Sequence, residues 1–440
     1  MSAHLLRGGL VSGLARRSRR GVLRAIGAVP LVPLLSWVPS TRALGAVPAL
    51  LPLAAPEPIA AIAPGEGEFL AMARSGALLR LSGSYWETIG EGFDPAAPVA
   101  ADHGRIVGRS IAGWLRVIED CTVIATLGPR ISDHGGFVNL AAGIVAVSAE
   151  HSPGSPRGPR ARAGRDEAPP APRLVRFERD GAVWREAARS NFAVLPDARP
   201  TLVDLGSAAG GREDGAHVAV LAGPDAGRYR HGVLGDPFEA TAIVYAERHS
   251  LAPLATITLP EPQVFEDITL RAFVDPGNGQ TSLATVRSGD KGAALVLVGR
   301  SRTDQAALTI IAEGPALGMR QRWLAPIVAG QGLYAVHTPH IGGVLTLYRR
   351  AGARLLAQAL RTGVSNHTIG SRDLNVSALV GSLLVVPTQQ HDELVALDLA
   401  DDARERWRLR LKAPVSALLA VGESLVVLDG GGRLFSIEKL

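Results

Sequence analysis

The chain has 440 residues, of which 47% are hydrophobic and 20% charged, with 50 glycines and 30 prolines. This composition is apolar enough to bury a large core and rich in turn formers, so it favours many short strands. The single cysteine, Cys121, excludes an intrachain disulfide framework and any CxxC metal or redox motif. We expect a buried free thiol at that position.

The net charge of +5 comes from the first 45 residues, which hold seven arginines and no acidic residue. Without them the 46 basic residues fall to 39, against 41 acidic residues. A nearly neutral body has no general attraction for phosphate backbones, because that attraction depends on clustered positive charge. We therefore expect no nucleic-acid partner.

The leading segment 1–45 contains Ser18-Arg19-Arg20-Gly21-Val22-Leu23-Arg24, an apolar run over 25–38 and small residues near position 45. It resembles a twin-arginine signal peptide, with valine at the usual phenylalanine position. The resemblance implies export of a folded protein to the periplasm or the extracellular space, with cleavage near residue 45. The alternative is an arginine-rich N-terminus without a targeting role. The apolar run is short and interrupted by prolines, so we expect no transmembrane span in the mature chain.

From residue 46 onward, short apolar runs alternate with Gly, Asp, Pro and Arg turns, and sustained helical periodicity is almost absent. This pattern is typical of an all-β fold. The strands group in fours with a spacing near forty residues. The first two predicted quartets cover 59–63, 69–73, 77–81 and 86–90, then 99–102, 106–109, 114–118 and 123–127.

A period near forty residues predicts a β-propeller, here a single domain over 46–440. Further quartets fall at about 137–190, 200–260, 267–313, 323–361 and 374–411. The chain end supplies only three strands, so we expect residues 46–56 to complete the last blade and close the ring between the N- and C-terminal strands. This count favours eight blades. Seven is the alternative, because the region 132–260 is irregular.

Two insertions interrupt the repeats. Residues 152–172 contain six prolines, four arginines and no large apolar side chain, so we expect a disordered loop. Residues 224–239 mix aromatic, basic and acidic side chains that can both pack and form hydrogen bonds. We expect this second insertion to be ordered.

The propeller hypothesis separates the loops into two faces. With strands a to d numbered from the axis outward, the b–c and d–a loops emerge on one face and the a–b and c–d turns on the other. The second set is short and plain. The first set is long and rich in functional side chains, so it is the candidate binding face.

Imidazole, carboxylate, amide and guanidinium groups from distant parts of the sequence are predicted to meet on this face. The turn His337-Thr338-Pro339-His340 carries two of the imidazoles, and Asp373 and His391 are predicted on the same side. The ligand-binding candidates are Arg230, His231, Asp236, Glu266, Asp267, Arg322, His337, His340, Asn366, His367 and Arg372.

Three of the imidazoles are also metal candidates, namely His337, His340 and His367. Nitrogen and oxygen donors of this kind suit zinc, manganese or iron. The same side chains serve equally well as hydrogen-bonding groups that structure loops or hold a ligand. Arg322 and Arg372 suit an anionic ligand through paired hydrogen bonds. The sequence lacks GxSxG, HExxH, GxxxxGK[ST] and GxGxxG motifs, so it names neither a reaction nor a cofactor.

The stretch Asp275-Pro276-Gly277-Asn278-Gly279-Gln280, followed by strands at 282–286 and 293–298, resembles the calcium-loop repeats of FG-GAP or VCBS-type propellers. The resemblance covers one or two blades, with Asp275 and Asn278 at ligand positions. It implies a propeller that is often extracytoplasmic and more often serves interactions than catalysis.

Three functions are compatible with these features. The first is an exported propeller, expected to be a monomer, that binds an unidentified small molecule, glycan or protein through the b–c and d–a face. The second is a metal-dependent or quinoprotein-like periplasmic enzyme using the loop histidines, although the tryptophan docking motif of quinoprotein blades is absent. The third is a structural repeat protein with a merely solvated face.

Overall fold

The computed structural model describes residues 46–149, 171–206, 215–301, 303–304, 306–438 and 440. The predicted signal segment 1–45, and all but the last two residues of the predicted disordered loop 152–172, lie outside this part of the chain. Among the described residues there is no helix with the length and apolar composition that crossing a bilayer requires.

The first half of the described chain consists of strands joined in antiparallel sequence. After a short strand β1 (Leu51–Leu53), they are β2 (Ile59–Pro64), β3 (Phe69–Ala73), β4 (Leu78–Ser82), β5 (Tyr85–Gly90); β6 (Val99–Asp102), β7 (Arg105–Arg109), β8 (Leu115–Glu119), β9 (Thr122–Leu127); β10 (Phe137–Leu140), β11 (Gly143–Ser148), β12 (Arg173–Asp180), β13 (Val183–Arg189); β14 (Thr201–Val203), β15 (His217–Asp225), β16 (Glu239–Ala246) and β17 (Pro253–Thr258).

The second half repeats the pattern after a two-residue strand, β18 (Val264–Phe265). Its strands are β19 (Arg271–Val274), β20 (Thr281–Ser288), β21 (Ala294–Arg300), β22 (Leu308–Glu313); β23 (Leu324–Ala329), β24 (Gly332–His337), β25 (Val344–Ala351), β26 (Arg354–Thr362); β27 (Ala378–Val380), β28 (Leu383–Pro387), β29 (Glu393–Asp398), β30 (Arg404–Arg410); β31 (Val415–Val421), β32 (Ser424–Asp429) and β33 (Leu434–Ile437).

The strands pair in units of four. Five sheets contain four strands each, and a thirteen-stranded sheet combines the units β14–β17, β19–β22 and β23–β26. Two contacts connect the units of that larger sheet: β18 pairs with both β16 and β20, and Glu313 of β22 pairs with Arg354 of β26. Repeated four-stranded antiparallel meanders are the blades of a β-propeller.

The first strand of each unit lies nearest the axis. First strands of neighbouring units contact each other, as β31 does β2, β2 does β6, β6 does β10, and β19 does β23. Burial follows the same radial order, because β11 is buried throughout whereas the fourth strand of its unit, β13, is mostly exposed. The apolar side chains of second and third strands form the core between blades.

The ring closes as the sequence predicted. Leu51, Pro52 and Leu53 of β1 pair with Ser436, Phe435 and Leu434 of β33, so a strand from the N-terminal side becomes the outermost strand of the last unit. This pairing covers the free edge of β33, which would otherwise expose unpaired backbone groups.

Two local predictions were wrong. Cys121 is exposed, because it lies in the two-residue turn between β8 and β9 and adopts a left-handed backbone with φ of 58°. His337 is the last residue of β24 and is not part of the following turn. Its ring nitrogen Nε2 lies 2.6 Å from the hydroxyl oxygen of Tyr348 on β25.

Candidate functional site

Four loops on the predicted binding face come together over one half of the ring. They are the b–c loop 226–238 between β15 and β16, the d–a loop 314–323 between β22 and β23, the b–c loop 338–343 between β24 and β25, and the d–a loop 363–377 between β26 and β27. We call the area they form the loop surface. Side chains and backbone groups cross from each loop to the next.

The loop 226–238 makes hydrogen bonds to two of the other loops. The Tyr229 hydroxyl accepts a hydrogen bond from the backbone nitrogen of Gln321 at 2.8 Å, and the side chain of Gln321 donates to the carbonyl oxygen of Arg230 at 2.8 Å. Further along, the carbonyl oxygen of Val233 accepts a bond from Gly370 at 2.9 Å. The insertion predicted to be ordered is therefore held at both ends by other blades.

Gly235 permits this close approach. Its φ is 98°, and a Cβ atom there would lie 2.5 Å from the carbonyl oxygen of Gly370. Only glycine combines this backbone conformation with so little space.

A buried carboxylate anchors the same loop from below. Glu266 is fully buried, and its two oxygens bond the imidazole of His231 and the hydroxyl of Ser288. Its carbonyl oxygen accepts a bond from the indole nitrogen of Trp323 at 3.0 Å. Burial raises the pKa of Glu266, against the opposing effect of the bond to His231.

His340 and His367 form a direct pair that joins loops 338–343 and 363–377. The Nε2 atom of His340 lies 2.8 Å from Nδ1 of His367, and Nε2 of His367 donates to the carbonyl oxygen of Ser371 at 2.9 Å. The ring of Trp323 stacks on His340 with an interplanar angle of 7°. Burial lowers the pKa of each imidazole to about 4, so both rings are neutral at pH 7.

This arrangement does not assemble the proposed metal ligands. His337 is engaged with Tyr348, and the two remaining imidazoles bond each other through the nitrogens that a metal would need. Within the described residues, no group of three or more His, Cys, Asp or Glu side chains has the geometry of a metal site. Each of the three histidines makes hydrogen bonds in this arrangement: His337 within its own blade, and His340 and His367 between two loops.

Arg372 connects loop 363–377 to two aspartates. Its Nε donates to Asp197 and its Nη2 to Asp236, each at 2.9 Å. Burial, followed by the nearby charge of Asp236, raises the pKa of Asp197 to about 7. Sequence reasoning identified Arg372 and Asp236 but missed Asp197, which precedes β14 and carries no local motif.

Three other sequence candidates also serve the scaffold. Asp267 is fully buried and accepts bonds from the backbone nitrogens of Ile268 and Thr269 and from Arg271. Asn366 is buried and donates to Asn375 at 3.2 Å. His391 is buried, with Nε2 at 3.1 Å from Ser365.

Arg230 and Arg322 are the candidates left without a carboxylate partner among the described residues. Arg230 is exposed, Arg322 is half-buried, and both lie at the edges of the loop surface. The neighbouring Arg320 covers the ring of Tyr229 at 5.1 Å and pairs with the exposed Asp290 at 3.2 Å. The four loops thus carry five guanidinium groups: Arg228, Arg320 and Arg372 have carboxylate partners, and Arg230 and Arg322 have none among the described residues.

The segment 275–280, which resembles a calcium loop, lies in an a–b turn on the face opposite the loop surface. Asp275 accepts a bond from the backbone nitrogen of Gly277 at 2.9 Å through one oxygen, and from Arg350 at 3.0 Å through the other. An arginine therefore occupies the position beside Asp275 that a cation would need.

The strand order, the paired units of four strands and the radial burial define a β-propeller. No protein-family model matches the chain, and no curated protein matches it at a significant level. Solved structures do match its fold. Sqt1 from Saccharomyces cerevisiae aligns with a TM-score of 0.54 and 8% identity, covering 90% of this chain and 98% of that one.

Two other structures are also similar. The computationally designed Ika8 protein aligns with a TM-score of 0.52 and 10% identity over 90% of this chain and 100% of that one. BamB from Moraxella catarrhalis aligns with a TM-score of 0.49 and 12% identity over 86% of this chain and 93% of that one. At these identities the likeness concerns the fold alone.

Proposed function

We propose that this chain is a binding propeller that recognises a protein partner through the loop surface. The observation that carries the proposal is the set of cross-loop hydrogen bonds, which fix four loops into one platform and leave large apolar side chains at its top. A rigid platform loses little conformational entropy on binding, so more of the contact energy remains as affinity.

The exposed apolar side chains are Phe238, Met319, Ile341 and Ile369, with exposed fractions of 41%, 59%, 62% and 66%. Each belongs to a different one of the four loops, with Phe238 directly before β16 and the other three within their loops. Grouped exposed apolar residues of this kind mark interaction sites, and burying each such side chain contributes roughly 1.5–3 kcal/mol.

Charge specifies the kind of partner. Arg230, Arg320 and Arg322 border the apolar side chains, and only Arg320 has a carboxylate within an ion-pair distance among the described residues. A partner segment that combines aliphatic and acidic side chains would complement both features. This choice favours a protein over the glycan and small-molecule alternatives for this surface.

The place of action is a second part of the proposal and rests on the N-terminal sequence. Arg19 and Arg20 within the segment that resembles a twin-arginine signal support export of the folded propeller to the periplasm or the extracellular space. A propeller with one cysteine needs no disulfide formation after export, which is consistent with folding before transport.

Site-specific photo-cross-linking in the native cell tests the proposal. A photoreactive amino acid is placed at Ile341 or Ile369 and, as matched controls, at the exposed Tyr85 or Val183, which follow c–d turns on the opposite face. We expect one discrete protein adduct from the first pair only, weakened by Met319→Asp. Equal adducts from both faces, or none from either, would contradict partner binding and favour the structural repeat protein.

A further inference from the structure

A cavity of about 510 Å³ lies at the d–a end of the central channel. First strands and the residues just before them form its wall. A smaller cavity of about 240 Å³ shares Ile62, Arg199 and Asp373 with it, so the two adjoin at these residues. The larger volume lies in the range of small-molecule sites.

Arg199 is held in this wall by a neighbouring blade. Arg199 lies two residues before β14 begins, and its backbone nitrogen donates to the carbonyl oxygen of Ile268 at 2.7 Å. Gly136 on the other side has no side chain, and a Cβ atom there would lie 2.9 Å from the Cα atom of Arg199. Tight packing on both sides fixes where the arginine enters the cavity wall.

The guanidinium of Arg199 lacks a counter-charge in direct contact. Its Nη2 donates to the carbonyl oxygen of Arg372 at 2.8 Å, whereas its Nε is buried without a partner. Burial lowers the pKa of Arg199, but the guanidinium stays protonated. A buried charged donor without an acceptor is costly, and an anion in the cavity would remove that cost.

The other two arginines of these cavity walls already have partners. Arg271 pairs with Asp267 at 2.7 Å, and Arg372 pairs with Asp197 and Asp236. One donor of Arg271, Nη2, is also buried without a partner. The exposed Asp373 lies near Arg199 and favours its charged form without forming an ion pair. The site therefore suits one negative charge better than two.

The remaining wall is mostly apolar, with His134 as its other polar side chain. It includes the stretch 60–64 on β2, Leu70 and Met72 on β3, and the stretch 95–100 that leads into β6. These residues offer a hydrocarbon surface beside a single unpaired guanidinium, which is the combination that an amphiphilic anion requires.

We propose that this cavity binds a small monocarboxylate with an apolar hydrocarbon body, its carboxylate on Arg199 and its hydrocarbon along β2 and the approach to β6. The cavity adjoins the loop surface, because Arg372 and Asp373 of loop 363–377 line it. The two proposals concern different ligands, and either one can fail experimentally without the other.

Isothermal titration of the purified chain with decanoate, decan-1-ol and inorganic phosphate tests the ligand class. We expect decanoate to bind and the other two to bind at least tenfold more weakly, because only decanoate supplies both the single charge and the chain. Arg199→Gln should weaken decanoate binding by about tenfold to a hundredfold. The matched control Arg354→Gln, an exposed arginine on β26, should bind like the wild type.

Four results would overturn the proposal. They are a decanoate Kd weaker than about 1 mM, equal binding of decan-1-ol, competition by phosphate, and tighter binding of N-acetyl-trileucine than of decanoate. A diazirine analogue of decanoate keeps the test valid even if Arg199→Gln folds poorly. In the wild-type chain it should label 60–64 or 95–100, and labelling confined to other segments would also overturn the site.

Discussion

His340 donates through Nε2 to Nδ1 of His367 across 2.8 Å, so two neutral imidazoles join a b–c loop to the following d–a loop. The direction follows from chemistry, because Nε2 of His367 donates to the carbonyl of Ser371 and leaves Nδ1 as the acceptor of a neutral ring. Protonation of His367 would place a proton on Nδ1, so Nδ1 could no longer accept this bond.

Stability should therefore fall as the pH falls from about 6.5 toward 4. Burial lowers the pKa of His367 to about 4, below its value in the unfolded chain. The unfolded chain therefore binds the proton first as the pH falls, and proton binding stabilises the unfolded state relative to the folded state across this window. His367 should thereby lower the free energy of unfolding by roughly 2–3 kcal/mol near pH 4.5, relative to pH 8. Urea unfolding between pH 4.5 and 8 measures it.

A single variant isolates that contribution. His367→Gln should be less stable than the wild type at pH 8 yet show a shallower pH dependence. A slope unaltered by His367→Gln would show that other groups control acid unfolding.

Asp197 should have the opposite effect on the pH dependence of stability, lowering the stability as the pH rises. Burial raises its pKa to about 7, so the folded state keeps a proton that the unfolded state has already lost. The stability that Asp197 contributes to the folded state therefore declines as the pH rises from about 4 through 7. Asp197→Asn keeps an oxygen for Arg372 without a titratable group. The variant should gain stability relative to the wild type between pH 5.5 and 8.5, measured by urea unfolding. A constant difference across this range would argue against a protonated Asp197.

Gly343 should tolerate no side chain. A Cβ atom there would lie 1.7 Å from the carbonyl oxygen of Val364, which is a backbone atom and has no rotamer through which to move away. Gly343→Ala should cost about 3 kcal/mol or more in unfolding free energy, or prevent folding. Gly289→Ala is the matched control, since its nearest neighbour is the flexible Gln263 side chain at 3.5 Å. Its effect should stay within about 0.5 kcal/mol, and equal costs at both sites would contradict this packing.

The exposed apolar residues should be dispensable for folding. Ile341→Asp and Ile369→Asp change side chains that are mostly in solvent, so each should alter the unfolding free energy by less than about 0.5 kcal/mol. The same changes should reduce the cross-linked adduct formed from a neighbouring loop position. Val183→Asp on the opposite face should leave the adduct intact, and a loss of stability at Ile341 or Ile369 would assign them a structural role.

Export should depend on the paired arginines near the N-terminus. Replacing Arg19 and Arg20 together by lysine keeps the charge but removes the pair, so a reporter fused to the chain should remain in the cytoplasm of a bacterial host with a twin-arginine pathway. Fractionation measures this, with Arg16→Lys plus Arg17→Lys as the matched control. Normal export of the Arg19 and Arg20 variant would contradict the resemblance to that signal.

Local sequence was sufficient for the strands and their order. The eight strands predicted between residues 59 and 127 agree with β2–β9 to within one residue at each end. Alternating apolar runs and Gly or Asp turns are decided by neighbouring residues, so they can be identified from a single sequence. Closure by the N-terminal strand was also predictable, because the last quartet lacked one strand. The blade number remains a prediction.

Contacts between distant blades of the ring could not be predicted from the sequence. Arg372 bonds Asp197 across 175 positions, and its carbonyl accepts from Arg199 across 173. No motif links residues so far apart, so the sequence pointed to Arg372 and missed both partners. The same limit explains His337, which ends β24 and bonds Tyr348 on the neighbouring strand, whereas His340 lies in the following turn and bonds His367.

The sequence by itself thus determined the all-β repeat, the closing strand and the face on which polar side chains gather. Periodicity and turn chemistry depend on neighbouring residues, so these features could be predicted from the sequence alone. Only the tertiary structure decided which of those side chains lock loops, which remain exposed, and that Arg199 lies unpaired beside a cavity. Those properties depend on burial and on partners from other blades, which only the closed ring brings together.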